Sequence, residues 1–213
     1  GEINEEMKYF QSGFFDIGGQ RLYVSRTGFT NELGFEIYCD KDSTDHIRLW
    51  DHLMASGVPF GMEISSTRAM TIRRIEGGIL GNITDIDTSM TPFEAGLGQF
   101  VDLGKGDFIG CEALLTKDKK PLLFGLTCET ETPTSGSIIM SNGVNVGHIT
   151  AGVPSPTLGV GIGYARFLEP KNWPGSPVSI CLPDKTVHPA KVVDLPFFDP
   201  EKKIVRGLDR TIP

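Results

Sequence analysis

The chain has 213 residues, of which 39% are hydrophobic, and carries a formal net charge of −7. A chain of this length can form one large domain or two small ones, each with a hydrophobic core. The acidic balance argues against binding through a phosphate backbone, so we expect no nucleic-acid partner. No apolar run approaches the ~20 residues of a membrane-spanning helix, and no secretory signal opens the chain. We therefore expect a cytoplasmic protein that has no membrane partner.

Cysteines and histidines give no sign of a metal centre. The four cysteines stand far apart and include no CxxC pair, whereas a zinc ribbon needs paired ligands at short spacing. The four histidines form no HxxxH or HExxH pattern. We expect no bound metal and four reduced, buried thiols, as is usual in cytosolic proteins. The cysteines are Cys39, Cys111, Cys128 and Cys181.

The first half of the chain combines strand and helix patterns. Residues 13–25, GFFDIGGQRLYVS, alternate in hydrophobicity around a Gly-Gly pair and predict a β-hairpin. The segment DKDSTDHIRLWDHLMASG predicts a helix capped by Asp42 or Ser43 and ended by Gly57. The segment SSTRAMTIRRIEGGI predicts a second helix that ends at Gly77 and Gly78. Interleaved strands and helices indicate an α+β layered region. The apolar stripe expected on the first helix comprises Ile47, Leu49, Trp50, Leu53 and Met54.

The second half of the chain changes to short apolar segments separated by Gly, Pro, Ser and Asn. The tetrapeptide SNGV within it is a strong signal for a tight hairpin. Short strands at this spacing predict an all-β barrel or sandwich. We place the domain boundary where the sequence changes to these short apolar segments, which gives one domain over 1–117 and a second over 118–213.

The segment Ser25–Asp40, SRTGFTNELGFEIYCD, joins a polar turn to a short alternating strand. Neighbouring side chains in a strand point to opposite faces. Glu36 and Tyr38 are therefore expected on one face, and Phe35 and Ile37 on the other. From the pattern alone, two interpretations stay open. The face that carries Glu36 is either a solvated strand surface or the wall of a pocket.

The same segment resembles the S-R-T-G-Y-T-G-E-x-G-F-E-I-Y signature of the folate-dependent aminomethyltransferases. This family includes the glycine cleavage T-protein and dimethylsulfoniopropionate demethylase. Further matches follow in order along the chain: RRIEGGILGNITDID, TPFEAGLGQFVDLGKGDFIGCEAL, VGHITAGVPSPTLGVGIGYARF and LPFFDPEKKIVRG. A single motif of this kind would be weak, but a set in order over nearly the whole chain is specific.

The resemblance implies a fold and an activity. The implied fold is α+β: a partial tetrahydrofolate-binding region followed by a C-terminal all-β barrel domain. The implied activity is transfer of a methyl or aminomethyl group from a small-molecule donor, with tetrahydrofolate as cofactor. The N-terminal half of the folate module is missing by this comparison, and the family's acidic catalytic residue with it, so the catalytic residue stays unassigned. An unpaired half-domain exposes apolar surface, and we therefore expect an oligomer or a complementary N-terminal half to cover it.

Three cofactor-binding residues follow from the resemblance. Glu36 matches the glutamate that accepts hydrogen bonds from the pterin ring, and Tyr38 matches a folate-contacting tyrosine of the demethylase branch. Phe29 stands at the aromatic position of the family's GYTG motif, without the tyrosine hydroxyl. The assignment of Glu36 agrees with its chemistry, because one carboxylate can accept from a pterin amine and from the adjacent ring N–H.

The form of RRIEGG and of DID…TPFEAGLG resembles the demethylase-like branch more closely, and the chain departs from the T-protein pattern at further positions. Asn31 replaces the glycine that precedes the motif's glutamate. T-proteins usually carry ARDTLRLEAG where this chain has RAMTIRRIEGG; aligned from Glu76, the arginine that precedes DT falls on Met70, although Arg68 is close. Both changes argue against glycine cleavage itself. A second hypothesis is a non-catalytic folate-binding or structural module of a larger demethylase or dehydrogenase.

Two further charged pairs fit ordinary surface roles. Asp85 and Asp87 in TDID are expected in a solvated turn, with contact to a cationic donor as the alternative. Arg73 and Arg74 are expected to form surface ion pairs on the second helix, which usually contribute ~1 kcal/mol or less.

Overall fold

The computed structural model describes residues 7–211. By packing, these divide into a first unit of residues 7–70 with 201–211 and a second unit of residues 71–200. The division of the sequence into 1–117 and 118–213 stays a prediction. In chain order the strands and helices are β1 (Ser12–Ile17), β2 (Gln20–Ser25), β3 (Glu36–Tyr38), α1 (His46–Gly57), α2 (Thr67–Glu76), α3 (Cys111–Leu115), β4 (Leu123–Cys128), β5 (Ile138–Ser141), β6 (Val144–Ser155), β7 (Val160–Phe167), β8 (Pro177–Cys181) and β9 (Val187–Val193).

A three-stranded antiparallel sheet in the order β1-β2-β3 forms the first unit's framework. Gly18 and Gly19 join β1 to β2 with φ values of 58° and 74°, which suit a tight hairpin whose twist matches the strands. The predicted hairpin is confirmed. One face of the sheet is apolar, and there Leu22 and Val24 pack against Leu49 of α1.

Helix α1 begins later than predicted. Its N-cap is Asp45, whose side chain accepts a hydrogen bond from the backbone N–H of Arg48 at 3.0 Å. The prediction of Asp42 or Ser43 was wrong, because the backbone N–H groups of both donate to the carboxylate of Asp40 in a preceding turn. The predicted end of the helix at Gly57 is confirmed.

The predicted apolar stripe of α1 is only partly buried. Leu49 exposes 6% of its surface, whereas Ile47 and Trp50 expose 76% and 51%. The helix therefore packs on the sheet through one narrow strip. Ile47 and Trp50 belong to the apolar stripe in sequence but lie outside the buried strip.

The second unit contains a closed antiparallel barrel in the order β4-β7-β6-β5-β8-β9. Asn142 and Gly143 form the tight β5–β6 turn with φ values of 50° and 79°, as SNGV predicted. The α+β class with a C-terminal barrel is confirmed. The interior is filled by the side chains of Phe124, Leu126, Cys128, Ile139, Ile149, Ala165, Phe167, Trp173, Val178, Ile180 and Val192.

All four cysteines are unpaired thiols. Cys111 and Cys128 are buried, but Cys39 is exposed at the end of β3, so the expectation of burial was wrong for Cys39. Within residues 7–211, no helix has both the length and the apolar composition that a membrane crossing requires. The same residues contain no cluster of three or more His, Cys, Asp or Glu side chains arranged to hold a metal ion.

Candidate functional site

Strand β3 presents Glu36 and Tyr38 on one exposed face of the first unit's sheet. The phenol of Tyr38 donates a hydrogen bond to Oε2 of Glu36 at 3.3 Å, so the two side chains lie together. Ile37, between them in sequence, points the other way and packs beside the cluster that contains Leu22 and Val24. This alternation agrees with the strand pattern read from the sequence.

The two oxygens of the Glu36 carboxylate differ in their surroundings. Oε2 accepts a short hydrogen bond from the hydroxyl of Thr27 and the longer one from Tyr38. The Thr27 hydroxyl also lies 3.0 Å from that of Ser25 at the end of β2. Among the described residues, no group donates to Oε1. One oxygen is thus held in position while the other is open to an external donor.

A row of three aromatic rings crosses the same face of the sheet. Strand register pairs Phe14 with Tyr23 and Tyr23 with Tyr38. The ring centroids are 5.1 Å and 5.9 Å apart, both in edge-on arrangements. Their exposures are 57%, 37% and 53%, although large rings are usually buried when they have no partner. We call Phe14, Tyr23 and Tyr38 the aromatic row.

A cleft with a volume of about 360 Å³ opens beside the aromatic row. Arg21 and Asp40 contribute charged groups to its lining, and Ser43 and Thr44 contribute hydroxyls. The volume lies within the range of small-molecule pockets, which are roughly 300–1,000 Å³. The exposed face therefore combines one open carboxylate oxygen, an aromatic wall and an adjoining cleft.

Tyr9 is an additional phenol near Glu36. Its partial burial, and secondarily the negative charge of Glu36, raise the pKa of Tyr9 above its ordinary value. The negative charge of Glu36 stabilises the neutral form of the Tyr9 phenol. Tyr9 precedes β1 and carries no sequence pattern that marks it, so sequence reasoning missed it.

The loop between β2 and β3 is held by buried polar side chains. The Arg26 guanidinium donates to the carbonyls of Met7 and Val205 at 2.8 Å and 3.3 Å and lies 5.9 Å from the Phe35 ring centroid. Asn31 adopts a left-handed φ of 60°, and its side-chain oxygen accepts from Lys202 at 2.7 Å. Asparagine tolerates this conformation, which explains how it replaces the family's glycine.

Phe29 lies in that loop and exposes 40% of its surface. The hydrogen bonds on the Glu36 carboxylate come instead from Thr27 and Tyr38. The structure thus brings Glu36 and Tyr38 together, and a role for Phe29 in cofactor binding stays a prediction. Thr27 was missed because a hydroxyl in a loop has no periodic signal. The aromatic row was missed because it depends on the register of two strand pairs, β1 with β2 and β2 with β3.

Arg74, Asp85 and Asp87 of the second unit have structural partners. Asp85 is buried, accepting from Arg74 at 2.8 Å, from the backbone N–H of Gly81 at 2.7 Å and from the Thr150 hydroxyl at 2.8 Å. The expectation of a solvated Asp85 was wrong, as was that of a surface ion pair for Arg74. Asp87 is exposed, and hydrogen bonds from Ser89, with the nearby Arg166 guanidinium, lower its pKa.

The fold defines a class of proteins in which a mixed helix-and-sheet region precedes an antiparallel β-barrel. Two family models match the chain: the GCVT N-terminal domain over residues 2–105, and the glycine cleavage T-protein C-terminal barrel domain over residues 122–199. The chain belongs to the glycine cleavage T-protein family.

Known relatives extend well beyond the region they share with this chain. The aminomethyltransferase of Halothermothrix orenii is 34% identical over 200 residues, covering 91% of this chain and 55% of the relative. The Bacillus subtilis aminomethyltransferase is 35% identical over 189 residues, covering 86% and 51%. The chain therefore spans about half the length of these relatives.

A solved structure also matches most of this chain while extending well beyond it. The crystal structure of the glycine cleavage system aminomethyltransferase T from Bartonella henselae superposes with a TM-score of 0.77 at 26% sequence identity. The match covers 92% of this chain and 54% of that one. The demethylase-like branch suggested by the sequence stays a prediction.

Proposed function

We propose that this chain is a tetrahydrofolate-dependent methyl- or aminomethyltransferase, or the C-terminal portion of one. The observation that carries the proposal is the Glu36 carboxylate, which stands beside Tyr38 on an exposed sheet face with Oε1 open. Family membership supports the proposal independently of that geometry.

The chemistry of the face fits the pterin end of a folate. A pterin offers an amine and a ring N–H side by side, and a carboxylate has about four acceptor positions. Thr27 and Tyr38 occupy positions on Oε2 only, and the Tyr38 bond is long at 3.3 Å. Acceptor capacity is therefore left for two adjacent donors.

In this proposal the chain supplies binding and orientation. The folate provides the nitrogen that accepts the one-carbon group. Glu36 fixes the pterin edge, Tyr38 and Thr27 hold that carboxylate in place, and the aromatic wall excludes water from one side. The catalytic acid is left unassigned, because the resemblance puts it in a part of the relatives that this chain does not span. The donor is a small molecule, of glycine-derived, methylamine or sulfonium type.

A non-catalytic module of a larger enzyme is the second candidate. It is favoured by the apolar surface of the first unit, where Phe60 exposes 91% of its surface, Ile47 76%, Phe10 73% and Ile64 69%. Exposed apolar residues usually mark a surface that another protein segment covers where they form one contiguous patch. We propose that a second copy or a complementary N-terminal half covers them. Sedimentation velocity, with and without that half, measures the association.

Cytoplasmic location is also a proposal. It is supported by the four unpaired thiols, since a cell compartment that keeps thiols reduced suits them. Demethylation as the particular reaction rests only on the form of the RRIEGG and DID…TPFEAGLG segments, which resembles the demethylase-like branch. A screen of glycine-derived, dimethylglycine and sulfonium donors for formation of methylene- or methyl-tetrahydrofolate would assign the reaction.

Isothermal titration calorimetry with tetrahydrofolate tests the proposed function. The unaltered chain is compared with Glu36→Gln and with Glu63→Gln, which makes the same chemical change at an exposed carboxylate elsewhere in the first unit. We expect saturable binding that Glu36→Gln weakens by about tenfold or more and that Glu63→Gln leaves unchanged. Absence of binding by the unaltered chain would favour the structural module.

A further inference from the structure

We propose that the first unit binds a small oxyanion beneath the loop between β2 and β3, where Arg26 and Asn31 supply the hydrogen-bond donors. The oxyanion is an inorganic phosphate or sulfate, or the carboxylate of an organic acid. Ser25 and Thr27, which flank Arg26 in sequence, contact each other beside the Glu36 carboxylate. Arg26 lies between them and is directed to the other side of the sheet. The inference therefore goes beyond the proposed function and does not depend on it.

The Arg26 guanidinium is a buried positive charge without a counter-ion among residues 7–211. Arg26 exposes 4% of its surface. Its hydrogen bonds go to the uncharged backbone carbonyls of Met7 and Val205, and it lies beside the ring of Phe35. Moving an unpaired charge out of water is costly, so buried charges in proteins are usually paired. A bound anion supplies the counter-charge that these neutral neighbours do not.

Two buried donor atoms of the loop have no hydrogen-bond acceptor: Nε of Arg26 and Nδ2 of Asn31. Asn31 exposes only 2% of its surface. The orientation of its amide is fixed, because its oxygen accepts from the Lys202 ammonium at 2.7 Å and an ammonium group can only donate. Nδ2 therefore presents its N–H groups to the interior. Buried donors are nearly always satisfied by protein groups, water or an ion.

Both side chains reach the same short segment near the C-terminal end of the first unit. Arg26 donates to the carbonyl of Val205, and Asn31 accepts from Lys202, three residues earlier. Three residues of chain span at most about 11 Å, so the two points of attachment on the backbone are close together. The loop thus gathers two positive charges and two unsatisfied donors over one small region.

The chemistry of this region selects an anion with several acceptor oxygens. The Nε–H of a guanidinium and one of its Nη–H groups are parallel, so Arg26 can donate to two oxygens of one oxyanion. The Asn31 amide adds two further N–H groups. A metal cation is disfavoured because Arg26 and Lys202 are both positive. A water molecule could accept from the donors but would leave the Arg26 charge uncompensated.

Side-chain N–H signals in ¹H–¹⁵N NMR spectra of the full chain test the inference. The Arg26 Nε–H and the Asn31 amide signals are identified by their loss in Arg26→Gln and Asn31→Gly. Glycine suits position 31 because it readily adopts the φ of 60° found there. Sodium phosphate and sodium acetate are added separately, with sodium chloride holding the ionic strength constant. The control signal is the Nε–H of Arg48, an exposed arginine on α1.

We expect the Arg26 and Asn31 signals to shift saturably with the added oxyanion, while the Arg48 signal does not saturate. At about ten times the dissociation constant, the oxyanion should raise the thermal unfolding midpoint by about 3–6 °C. Asn31→Asp is the second variant, because it places a carboxylate in the loop and keeps an oxygen acceptor for Lys202. It should abolish both the saturable shift of Arg26 and the rise in midpoint.

The two added salts distinguish the sources of the anion. Saturation by phosphate alone identifies an inorganic oxyanion, and saturation by acetate identifies a carboxylate; either supports the inference. Shifts of Arg26 and Asn31 that stay as small and unsaturable as that of Arg48 with both salts would overturn it and assign the donors to water. A rise in midpoint that is equal in Asn31→Asp and in the unaltered chain would also overturn it, because the effect would then be a general effect of salt.

Discussion

The Tyr38 hydroxyl and the Glu36 carboxylate form a hydrogen bond of 3.3 Å between side chains two residues apart on one face of β3. Both residues are exposed, so this contact is not a way of satisfying buried polar groups. Water could donate to the Glu36 carboxylate equally well on this surface, so the effect of the Tyr38 hydroxyl is to orient the carboxylate. An oriented and exposed acceptor is what a ligand with fixed donors requires.

Removing the Tyr38 hydroxyl tests that orientation. We expect Tyr38→Phe to weaken tetrahydrofolate binding by about twofold to tenfold, because the carboxylate loses one of the groups that hold it while the ring stays in the aromatic row. The thermal unfolding midpoint should be unchanged, since Tyr38 is 53% exposed. A fall in the midpoint with unaltered binding would instead make the hydroxyl a structural group.

Tyr9 reports on the charge at Glu36 without any ligand. Two causes raise the pKa of the Tyr9 phenol: the larger is its burial, and the smaller is the negative charge of Glu36. Neutralising the carboxylate in Glu36→Gln removes the second cause and should lower that pKa, while leaving it above its ordinary value. The measurement is a pH titration of the tyrosine ring signals by NMR. No movement of the Tyr9 signal's midpoint would show that the two groups are not neighbours in solution.

The buried pair of Arg74 and Asp85 should be essential to the second unit. Their side chains expose 9% and 0% of their surface, and their closest atoms are 2.8 Å apart. Arg74→Met leaves the Asp85 carboxylate buried without its counter-ion, so we expect the free energy of unfolding to fall by about 3–5 kcal/mol. Arg166→Met is the control, because it breaks a more exposed pair with Asp87 and should cause a clearly smaller loss. Equal losses in chemical denaturation would contradict the distinction.

A close backbone approach requires glycine at position 152 in the barrel. A Cβ atom added at Gly152 would lie 2.0 Å from the carbonyl oxygen of Pro133. The backbone must then shift, so we expect Gly152→Ala to destabilise the protein by about 1–3 kcal/mol. Gly28→Ala is the comparison, since a Cβ there meets nothing within 4 Å, and it should be close to neutral. Denaturation curves that do not distinguish the two variants would be inconsistent with this packing.

Local signals in the sequence were enough for most of the fold. The Gly18–Gly19 and Asn142–Gly143 turns need positive φ values, which these residue types adopt readily, so both hairpins could be read directly. The start of α1 could not be read from the sequence, because several residues in DKDSTD are good N-caps. The choice of Asp45 is made by a contact distant in sequence: its backbone N–H donates to the Gln20 side chain at 2.8 Å.

The candidate site was predictable only along a single strand. The alternation of side chains along a strand depends on the backbone of that strand alone, so the sequence of β3 was enough to predict that Glu36 and Tyr38 share a face. The neighbours Tyr23 and Phe14 depend on register across two strand pairs, and Tyr9 depends on the path of a segment outside the sheet. Asp85 looked like a loop carboxylate because burial by Arg74 and Thr150 is a property of packing that local pattern does not contain.

The central claim is that Glu36 pairs with the pterin edge of tetrahydrofolate. It is tested most directly by comparing the affinity for tetrahydrofolate with that for its 2-desamino analogue, which lacks the exocyclic amine, in the unaltered chain and in Glu36→Gln. We predict that the unaltered chain prefers tetrahydrofolate by about tenfold or more and that Glu36→Gln loses most of this preference. An equal preference in the two proteins would contradict the account.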